Sequence, residues 1–287
     1  RKHFAHMKAP LTYSFDEKRP VVFKGLSVWD YCEDLSRRLR ARNRVLFANA
    51  TPNHWCYLTP VMDAVGIEIG WAHEGTLKPD GPDQLLYWCA VSGDKPYCFL
   101  MNVKFENLTD EMVEKRCRWQ KYLEGKLGLN KKCGLIGMSW GGFYSVRYAS
   151  IHPECVKAIY LDAPCLDFST LKAYKAGEYK KLQTFYDFAT PDYVGADDPF
   201  QSVNRAAPIA KAGIPVLCIY GGKDGVVPPK DNCLRFAEAY EKAGGHLKLW
   251  RDNLRGHHPH GLEPDEQQVF VNFYTLKYEA KPKAKKK

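Results

Sequence analysis

One serine in this sequence has the surroundings that a nucleophile requires. Ser139 lies in the segment GMSWGG, which directly follows the predicted strand CGLIG and directly precedes a predicted helix. Glycines allow the tight strand-to-helix turn in which a serine has strained backbone angles and presents its hydroxyl at the edge of a sheet. An ordinary Gly-Ser turn is the alternative, but the strand and the helix on either side favour a nucleophile.

The residue after this serine is a candidate for stabilising negative charge. Trp140 begins the predicted helix, and the first N–H groups of a helix have no acceptor within the helix. They also lie at the positive end of the helix dipole. We therefore predict that the N–H of Trp140 donates to an oxyanion when Ser139 attacks a carbonyl carbon.

A serine nucleophile needs a base and a carboxylate that orients the base, and the downstream sequence contains both. Asp224 follows a predicted strand in the turn KDG, where the alternative is a structural aspartate before glycine. The loop GHHPH follows the next predicted strand. We expect His257 to be the base, because Gly256 before it lets the loop turn the imidazole toward the site. His258 and His260 are then supporting or surface residues.

Two other interpretations of these residues stay open. His257, His258 and His260 have a spacing that occurs in zinc sites, but the nearby sequence offers neither a fourth ligand nor a clear carboxylate partner, so neither a metal nor a cofactor is predicted. Asp162 ends another predicted strand and could orient the base in place of Asp224. We expect Asp162 to be structural or to shape the pocket.

From residue 109 onward, helix and strand patterns alternate as they do in a parallel sheet with crossover helices. Strands are predicted at 133–137, 156–161, 215–220 and 246–250, and helices at 110–124, 141–151, 232–243 and 264–276. The first hundred residues are also α/β in kind. Their predicted strands are 44–48, 67–71 and 96–103, and their predicted helices are 58–65 and 84–90.

Composition and charge exclude several classes of protein. No apolar run approaches the roughly 20 residues that cross a bilayer, so no membrane partner is predicted. The formal charge of +9 lies at the two ends, with five lysines in 281–287 and eleven basic against five acidic residues in 1–45. The rest is near neutral. The arginines of 37–44 are interleaved with apolar residues at helical spacing, which indicates the solvated face of an amphipathic helix. No nucleic-acid partner is therefore predicted. We expect 281–287 to be a disordered tail.

The cysteines indicate a reduced compartment. The sequence has ten cysteines without any C-x-x-C pair, and most of them lie in apolar stretches. A free thiol in such a stretch behaves as a small hydrophobic side chain. We therefore expect no disulfide framework and a cytoplasmic location.

Four segments together resemble the α/β-hydrolase superfamily, and in particular the bacterial esterase-like hydrolases often found with carbohydrate-degrading enzymes. These segments are GMSWGG, YLDAPCLD, IAKAGIPVLCIYGGKDGVVPPKDN and RGHHPHGLEP, and the resemblance covers about 108–276. It implies an eight-stranded, mostly parallel central sheet flanked by helices. The chain order Ser139, Asp224, His257 is that of the superfamily's nucleophile, acid and base. The aromatic-rich segment 166–206 would lie over the site as a cap.

The sequence departs from this pattern after the predicted strand 44–48, which would correspond to the third strand of the superfamily. Members of the superfamily commonly have His-Gly there, and a backbone N–H completes the oxyanion hole. In this sequence RVLFANA runs into TPNHW, so Asn49 or Ala50 is the best assignment for the second donor. Residues 44–103 also resemble, faintly, a segment of barrel-type glycoside hydrolases.

The sequence thus predicts one α/β-hydrolase domain over 1–280 that cleaves a small-molecule carboxylic ester, such as an acetylated carbohydrate, through an acyl-enzyme. Two hypotheses compete with it. One is a non-catalytic binding protein of the same fold, which applies if the N-terminal third builds no oxyanion hole. The other is a glycosidase-related carbohydrate-active protein that uses paired carboxylates from Asp63, Glu68 or Glu74.

Overall fold

The computed structural model describes segments from both halves of the chain. The described residues are 12–14, 18–21, 24–49, 56–68, 72–73, 76–77, 87, 90–93, 95–100, 110–128, 130–170, 201–263 and 266–274. The chain divides into two compact units, Arg1–Lys104 and Phe105–Lys287. A single domain over 1–280 stays a prediction. The cap and the lysine tail also stay predictions, because most of the former and all of the latter lie outside the described residues.

The N-terminal unit is built on a short parallel sheet. Its elements are β1 (Thr12–Ser14), β2 (Arg19–Val21), α1 (Lys24–Arg40), β3 (Phe47–Ala48), a 3₁₀ helix (Cys56–Val61), β4 (Ala64–Glu68), β5 (Ala72–His73), β6 (Thr76–Leu77) and β7 (Tyr97–Leu100). The parallel sheet has the order β3-β4-β7, while β1 with β2 and β5 with β6 form antiparallel pairs. The unit combines a long helix with a parallel sheet, as the α/β prediction for this part of the chain requires.

Two elements predicted in this unit are wrong in type or position. The residues predicted as a helix at 58–65 form the 3₁₀ helix Cys56–Val61, which contains Pro60. Proline has no N–H to continue a helix, and 3₁₀ helices are short. The chain therefore enters β4 early, so the strand predicted at 67–71 already begins at Ala64, while 69–71 lie outside the described residues.

The basic residues near the end of α1 lie in solvent, as predicted. Arg37 and Arg38 are mostly exposed and contact the carboxylate of Asp34 one turn earlier. The opposite side of α1 contributes Cys32 to a buried cluster with Val65 of β4. The arginines are therefore the outer face of an amphipathic helix.

The C-terminal unit contains the longer strands of the described residues. Its elements are α2 (Asp110–Leu127), β8 (Cys133–Met138), α3 (Trp140–Ile151), a 3₁₀ helix (Pro153–Cys155), β9 (Val156–Asp162), 3₁₀ helices (Phe168–Thr170 and Ser202–Asn204), α4 (Ala206–Lys211), β10 (Val216–Gly221), a π-helical turn (Lys230–Leu234), α5 (Arg235–Lys242), β11 (Leu247–Asp252) and α6 (Gln267–Tyr274). The strands predicted for this part are confirmed within two residues at each end, and the helices within three.

The four strands of this unit form one parallel sheet in the order β11-β10-β9-β8. Every residue of β10 is buried, and β9 is buried apart from Lys157, as expected of strands covered on both faces. Because the strands are parallel, their carboxyl ends lie at one edge of the sheet. There Asp162 pairs in register with Met138 on one side and with Ile219 on the other. The parallel sheet flanked by helices that this fold class requires is therefore present, while the count of eight strands stays a prediction.

Two further expectations concern thiols and membranes. All eight cysteines whose side chains are described are free thiols. Among the helices of the described segments, none combines the length and the apolar character needed to cross a bilayer.

Candidate active site

The turn between β8 and α3 holds Ser139 in a strained backbone conformation. Its φ is 49° and its ψ is −116°, a left-handed combination that residues with side chains rarely adopt. The N–H of Ser139 donates to the carbonyl of Asp162 at 2.9 Å, and its carbonyl accepts from the N–H of Cys165 at 2.8 Å. Both bonds tie the serine turn to the chain just beyond β9. Ser139 as a whole residue is half-buried.

Close packing explains two of the three glycines around this serine. A Cβ on Gly137 would lie 2.7 Å from the carbonyl oxygen of Gly141, and a Cβ on Gly142 would collide with Pro164. A Cβ on Gly141 would meet nothing within 4 Å. Close packing therefore requires glycine at the first and last glycine positions of the motif, but not at the middle one.

Asp224 lies in the turn after β10 with its carboxylate buried. One carboxylate oxygen accepts from the N–H groups of Val226 at 2.9 Å and Val227 at 2.8 Å, and the other lies 2.8 Å from Nδ1 of His257. Burial by itself raises the pKa of this carboxyl, but the hydrogen bonds from His257 and the two N–H groups together outweigh it, so the pKa is below its usual value. Asp224 is therefore ionised at neutral pH.

His257 links this carboxylate to the serine. Its Nδ1 faces Asp224, and its Nε2 lies 3.0 Å from Oγ of Ser139. In the neutral imidazole one ring nitrogen donates and the other accepts. With Nδ1–H donating to the carboxylate, the lone pair on Nε2 is directed at the serine hydroxyl, which is the arrangement for removing its proton. The structure thus brings the three residues predicted from the sequence into one hydrogen-bonded chain.

A glycine that sequence reasoning missed lets the histidine loop approach the sheet. A Cβ on Gly221, the last residue of β10, would collide with the carbonyl oxygens of Arg255 and Gly256. Gly256 itself has room for a side chain, since only the carbonyl of Lys223 lies near, at 3.7 Å. The glycine that positions His257 is therefore Gly221. The sequence feature that could have identified this glycine is the pair of glycines at the end of the predicted strand.

Asp162 anchors the same loop from the end of β9 and is fully buried. Its carboxylate accepts from the N–H of Gly261 at 2.5 Å, lies 3.3 Å from Nδ1 of His260 and lies 3.4 Å from Nη2 of Arg255. Arg255 also donates to the carbonyl of Gly261. Asp224, rather than Asp162, is the carboxylate beside His257, so the structural role expected for Asp162 agrees with its contacts. Arg255 was not singled out from the sequence.

Aromatic side chains pack behind the serine turn. The ring of Trp140 contacts that of Phe168 at a centroid distance of 4.9 Å, and Phe168 stacks on Phe143 at 4.0 Å. The N–H of Phe168 donates to the side-chain oxygen of Gln201 at 2.8 Å. The described ends of the predicted cap are therefore fixed against the C-terminal unit, and 171–200 lie outside the described residues.

The oxyanion donors stay predictions. Trp140 begins α3 directly after Ser139, as expected. Asn49 is an exposed residue of the N-terminal unit, and Ala50 lies outside the described residues.

The carboxylates of the glycosidase hypothesis give it no support. Asp63 is engaged in structural bonds, since it accepts from the N–H of Leu46 at 2.7 Å and from Nε of Arg40 at 2.6 Å. The side chain of Glu68 and all of Glu74 lie outside what the structure describes.

Comparison with models of protein families identifies the family of this chain. The profile of the prolyl oligopeptidase family matches residues 100–277, well over half of the sequence. The chain belongs to the prolyl oligopeptidase family. Membership places it in the serine-hydrolase class of α/β-hydrolase proteins. The matched residues include the whole parallel sheet of the C-terminal unit and the Ser139, Asp224 and His257 chain. A comparison with curated proteins gives no match.

Several solved structures resemble this member of the prolyl oligopeptidase family over part of its length. Acylaminoacyl peptidase from Pyrococcus horikoshii is 14% identical with a TM-score of 0.49, over 68% of this chain and 35% of that one. Dipeptidyl peptidase 4 from Porphyromonas gingivalis is 15% identical with a TM-score of 0.46, over 58% and 22%. Acetyl xylan esterase 1 from Thermoanaerobacterium sp. JW/SL YS485 is 18% identical with a TM-score of 0.44, over 62% and 59%. The chain thus spans about a third of the length of the first of these structures.

Proposed function

We propose that this chain hydrolyses carboxylic esters, with Ser139 as nucleophile, His257 as general base and Asp224 as the carboxylate that orients the base. The observation that carries the proposal is the continuous path of short contacts, 3.0 Å from Ser139 Oγ to His257 Nε2 and 2.8 Å from His257 Nδ1 to Asp224 Oδ2. The strained turn that exposes the serine and the family match support the same conclusion.

The geometry supports a two-step reaction. In the first step Oγ of Ser139 bonds to the ester carbonyl carbon while its proton passes to Nε2 of His257. The C–O bond to the alcohol then breaks, and the leaving alkoxide takes that proton, which gives the free alcohol and the acyl-enzyme. In the second step a water molecule gives its proton to the same nitrogen, its oxygen bonds to the acyl carbon, and Ser139 leaves with the proton returned. The buried carboxylate of Asp224 stabilises the imidazolium that forms in each step.

The family match also favours a second candidate, hydrolysis of a peptide or other amide bond. The same three residues would act, but an amine leaves less readily than an alcohol and must receive its proton from His257 as the C–N bond breaks. An arrangement that cleaves amides therefore also cleaves esters of the same acyl group. Ester hydrolysis is the activity that both candidates share, and an acetylated carbohydrate is the ester we propose first.

A matched pair of substrates tests the proposal. The purified protein is given p-nitrophenyl esters, p-nitroanilides of the same acyl groups, and acetylated sugars. We expect ester cleavage that is lost in Ser139→Ala and retained in Ser150→Ala, a serine at the far end of α3. Anilides cleaved at rates comparable to the esters would assign the chain as a peptidase. No Ser139-dependent cleavage of any substrate would contradict the proposal.

A further inference from the structure

Three histidine rings pack against one another in the loop after β11. The ring centroids of His257 and His258 are 4.7 Å apart, those of His258 and His260 are 4.7 Å apart, and those of His257 and His260 are 5.1 Å apart. Each can offer one ring nitrogen so that the three nitrogens lie within 4.8 Å of one another. Three imidazoles on one tetrahedral ion, with bonds of about 2.0–2.1 Å, have ring centres roughly 5 Å apart. The rings therefore already have the mutual spacing of a three-histidine metal site.

Two of these rings have the carboxylate partner that metal-bound histidines normally have. Nδ1 of His257 lies 2.8 Å from Asp224, and Nδ1 of His260 lies 3.3 Å from Asp162. A carboxylate on one ring nitrogen fixes the tautomer and makes the other nitrogen a stronger ligand. In both rings that other nitrogen is Nε2. The absence of a carboxylate partner was one argument against a metal from the sequence, and the fold supplies two such partners.

We infer that His257, His258 and His260 bind a transition-metal ion of the Zn²⁺ type and that the bound ion inhibits the hydrolase. Imidazole ligands suit Zn²⁺, Ni²⁺ and Cu²⁺, whereas Mg²⁺ and Ca²⁺ prefer oxygen. Three protein ligands with water in the fourth position is an ordinary zinc arrangement, so a fourth protein ligand is not needed. The ring nitrogens must approach to about 3.3 Å from one another. His258 is exposed and can make this closure by side-chain rotation.

The inhibitory part of this inference rests on the proposed function. Because Nε2 of His257 lies 3.0 Å from Oγ of Ser139, an ion on that nitrogen occupies the lone pair that would accept the serine proton. No covalent bond of the protein changes, so removal of the ion restores the base. The buried carboxylates of Asp224 and Asp162 offset the charge of the ion, although Arg255 shares the second of them.

Direct binding tests the site without relying on activity. Zn²⁺ is titrated against a chromogenic chelator in the presence of the wild-type protein, His258→Ala, His260→Ala and the control His246→Ala, an exposed histidine outside the cluster. We expect each of the two cluster variants to lower the Zn²⁺ affinity at least about tenfold, since even the partners of metal ligands change affinity by about 10- to 100-fold. His246→Ala should bind as the wild type does.

The exposed position of His258 makes its variant the decisive one if His260→Ala does not fold. Zinc held by the separate group of Cys117, His152 and Glu154 would be independent of His258. An affinity that is the same in wild type and His258→Ala, or that falls equally in His246→Ala, would overturn the inference.

A second measurement tests the inhibition. The rate of fluorophosphonate labelling of the serine is measured with Zn²⁺, with Mg²⁺ and after chelation, and each variant is compared with its own rate without metal. We expect Zn²⁺ to slow labelling at least about tenfold, Mg²⁺ to have no effect, and EDTA to restore the rate. Zn²⁺ binding that leaves labelling unchanged would overturn the inhibitory role. Absence of any labelling without metal would contradict the proposed function, while the binding titration would still decide the metal site.

Discussion

Asp224 is the residue whose charge the proposed chemistry depends on most. Its carboxylate is buried and holds the tautomer of His257 that directs a lone pair at Ser139. In Asp224→Asn the amide leaves the geometry nearly intact but no longer favours the imidazolium. We expect the rate of ester cleavage to fall by about 10³- to 10⁴-fold with little loss of folding, as measured by initial rates and circular dichroism.

The control for this change is Asp231→Asn, an exposed aspartate of the same segment. It should retain the wild-type rate. A rate in Asp224→Asn within a few-fold of the control would mean that another group orients His257.

Among single residues, the three that form the hydrogen-bonded chain were predictable from the sequence, because each has a local signal. Ser139 has flanking glycines, Asp224 ends a strand in a tight turn, and His257 follows the next strand. The supporting residues have no such signal. Gly221 and Arg255 matter only because the histidine loop folds back onto the end of β10, and that contact joins residues more than 30 positions apart.

Among the elements of the site, β9 is joined through Asp162 both to the turn that holds Ser139 and to the histidine loop. The backbone carbonyl of this aspartate binds the turn of Ser139, and its side chain binds Gly261 and contacts Arg255 in the histidine loop. In Asp162→Asn the buried guanidinium of Arg255 loses the negative charge of its buried carboxylate partner. We expect the free energy of unfolding to fall by about 3 kcal/mol or more, measured by urea denaturation. A loss below about 1 kcal/mol would mean that the loop does not depend on this anchor.

Asp63 makes the corresponding link in the N-terminal unit, between the end of α1 and the start of β4. Burial raises the pKa of its carboxyl, but the N–H of Leu46 and the guanidinium of Arg40 together lower it more, so the net pKa is below its usual value. A lowered pKa in the folded state stabilises that state above the unfolded pKa of about 4, and the contribution is lost as the pH falls through the folded value.

The stability difference between the wild type and Asp63→Asn should therefore be largest at neutral pH and shrink below about pH 4. Thermal unfolding at a series of pH values measures it. A difference that stays constant from pH 7 to pH 3 would contradict this assignment of the charge.

Elements of the C-terminal unit were predictable because periodicity and turn residues agree there. β9 and β10 are mostly apolar and buried, and they end at an aspartate and a glycine, while α5 buries Phe236, Ala237 and Tyr240. In the N-terminal unit the signals conflict. Pro60 lies inside an apolar stretch that resembles a helix, and the strands are as short as two residues, so packing decides the structure where local pattern does not.

For the molecule as a whole, we expect that ester cleavage does not depend on the basic residues at the two ends of the sequence. Residues 281–287 contribute five of the 42 lysines and arginines, and they follow a near-neutral chain. Deletion of 281–287 should leave the rate of ester cleavage unchanged at both low and high salt. A salt-dependent change in rate on deletion would assign the tail a role in attracting an anionic substrate.

Family membership fixes the class of the whole molecule but not its substrate. The match covers 100–277, which carries Ser139, Asp224 and His257. Most of the predicted cap, 166–206, lies outside the described residues, so the structure does not identify the groups that select the acyl chain. The sequence was therefore sufficient to predict the class of hydrolase and its candidate site residues, but not the choice between an ester and an amide substrate.

Covalent labelling tests most directly whether Ser139 is a nucleophile that His257 activates. A fluorophosphonate reacts with a serine only when a base removes its proton, because the bond from oxygen to phosphorus forms as fluoride leaves. After labelling, the protein is digested and the modified residue is located by mass spectrometry. We expect one labelled site, at Ser139, that is absent from Ser139→Ala and is labelled much more slowly in His257→Ala. Wild-type protein that is folded but unlabelled, or labelled equally in His257→Ala, would contradict it.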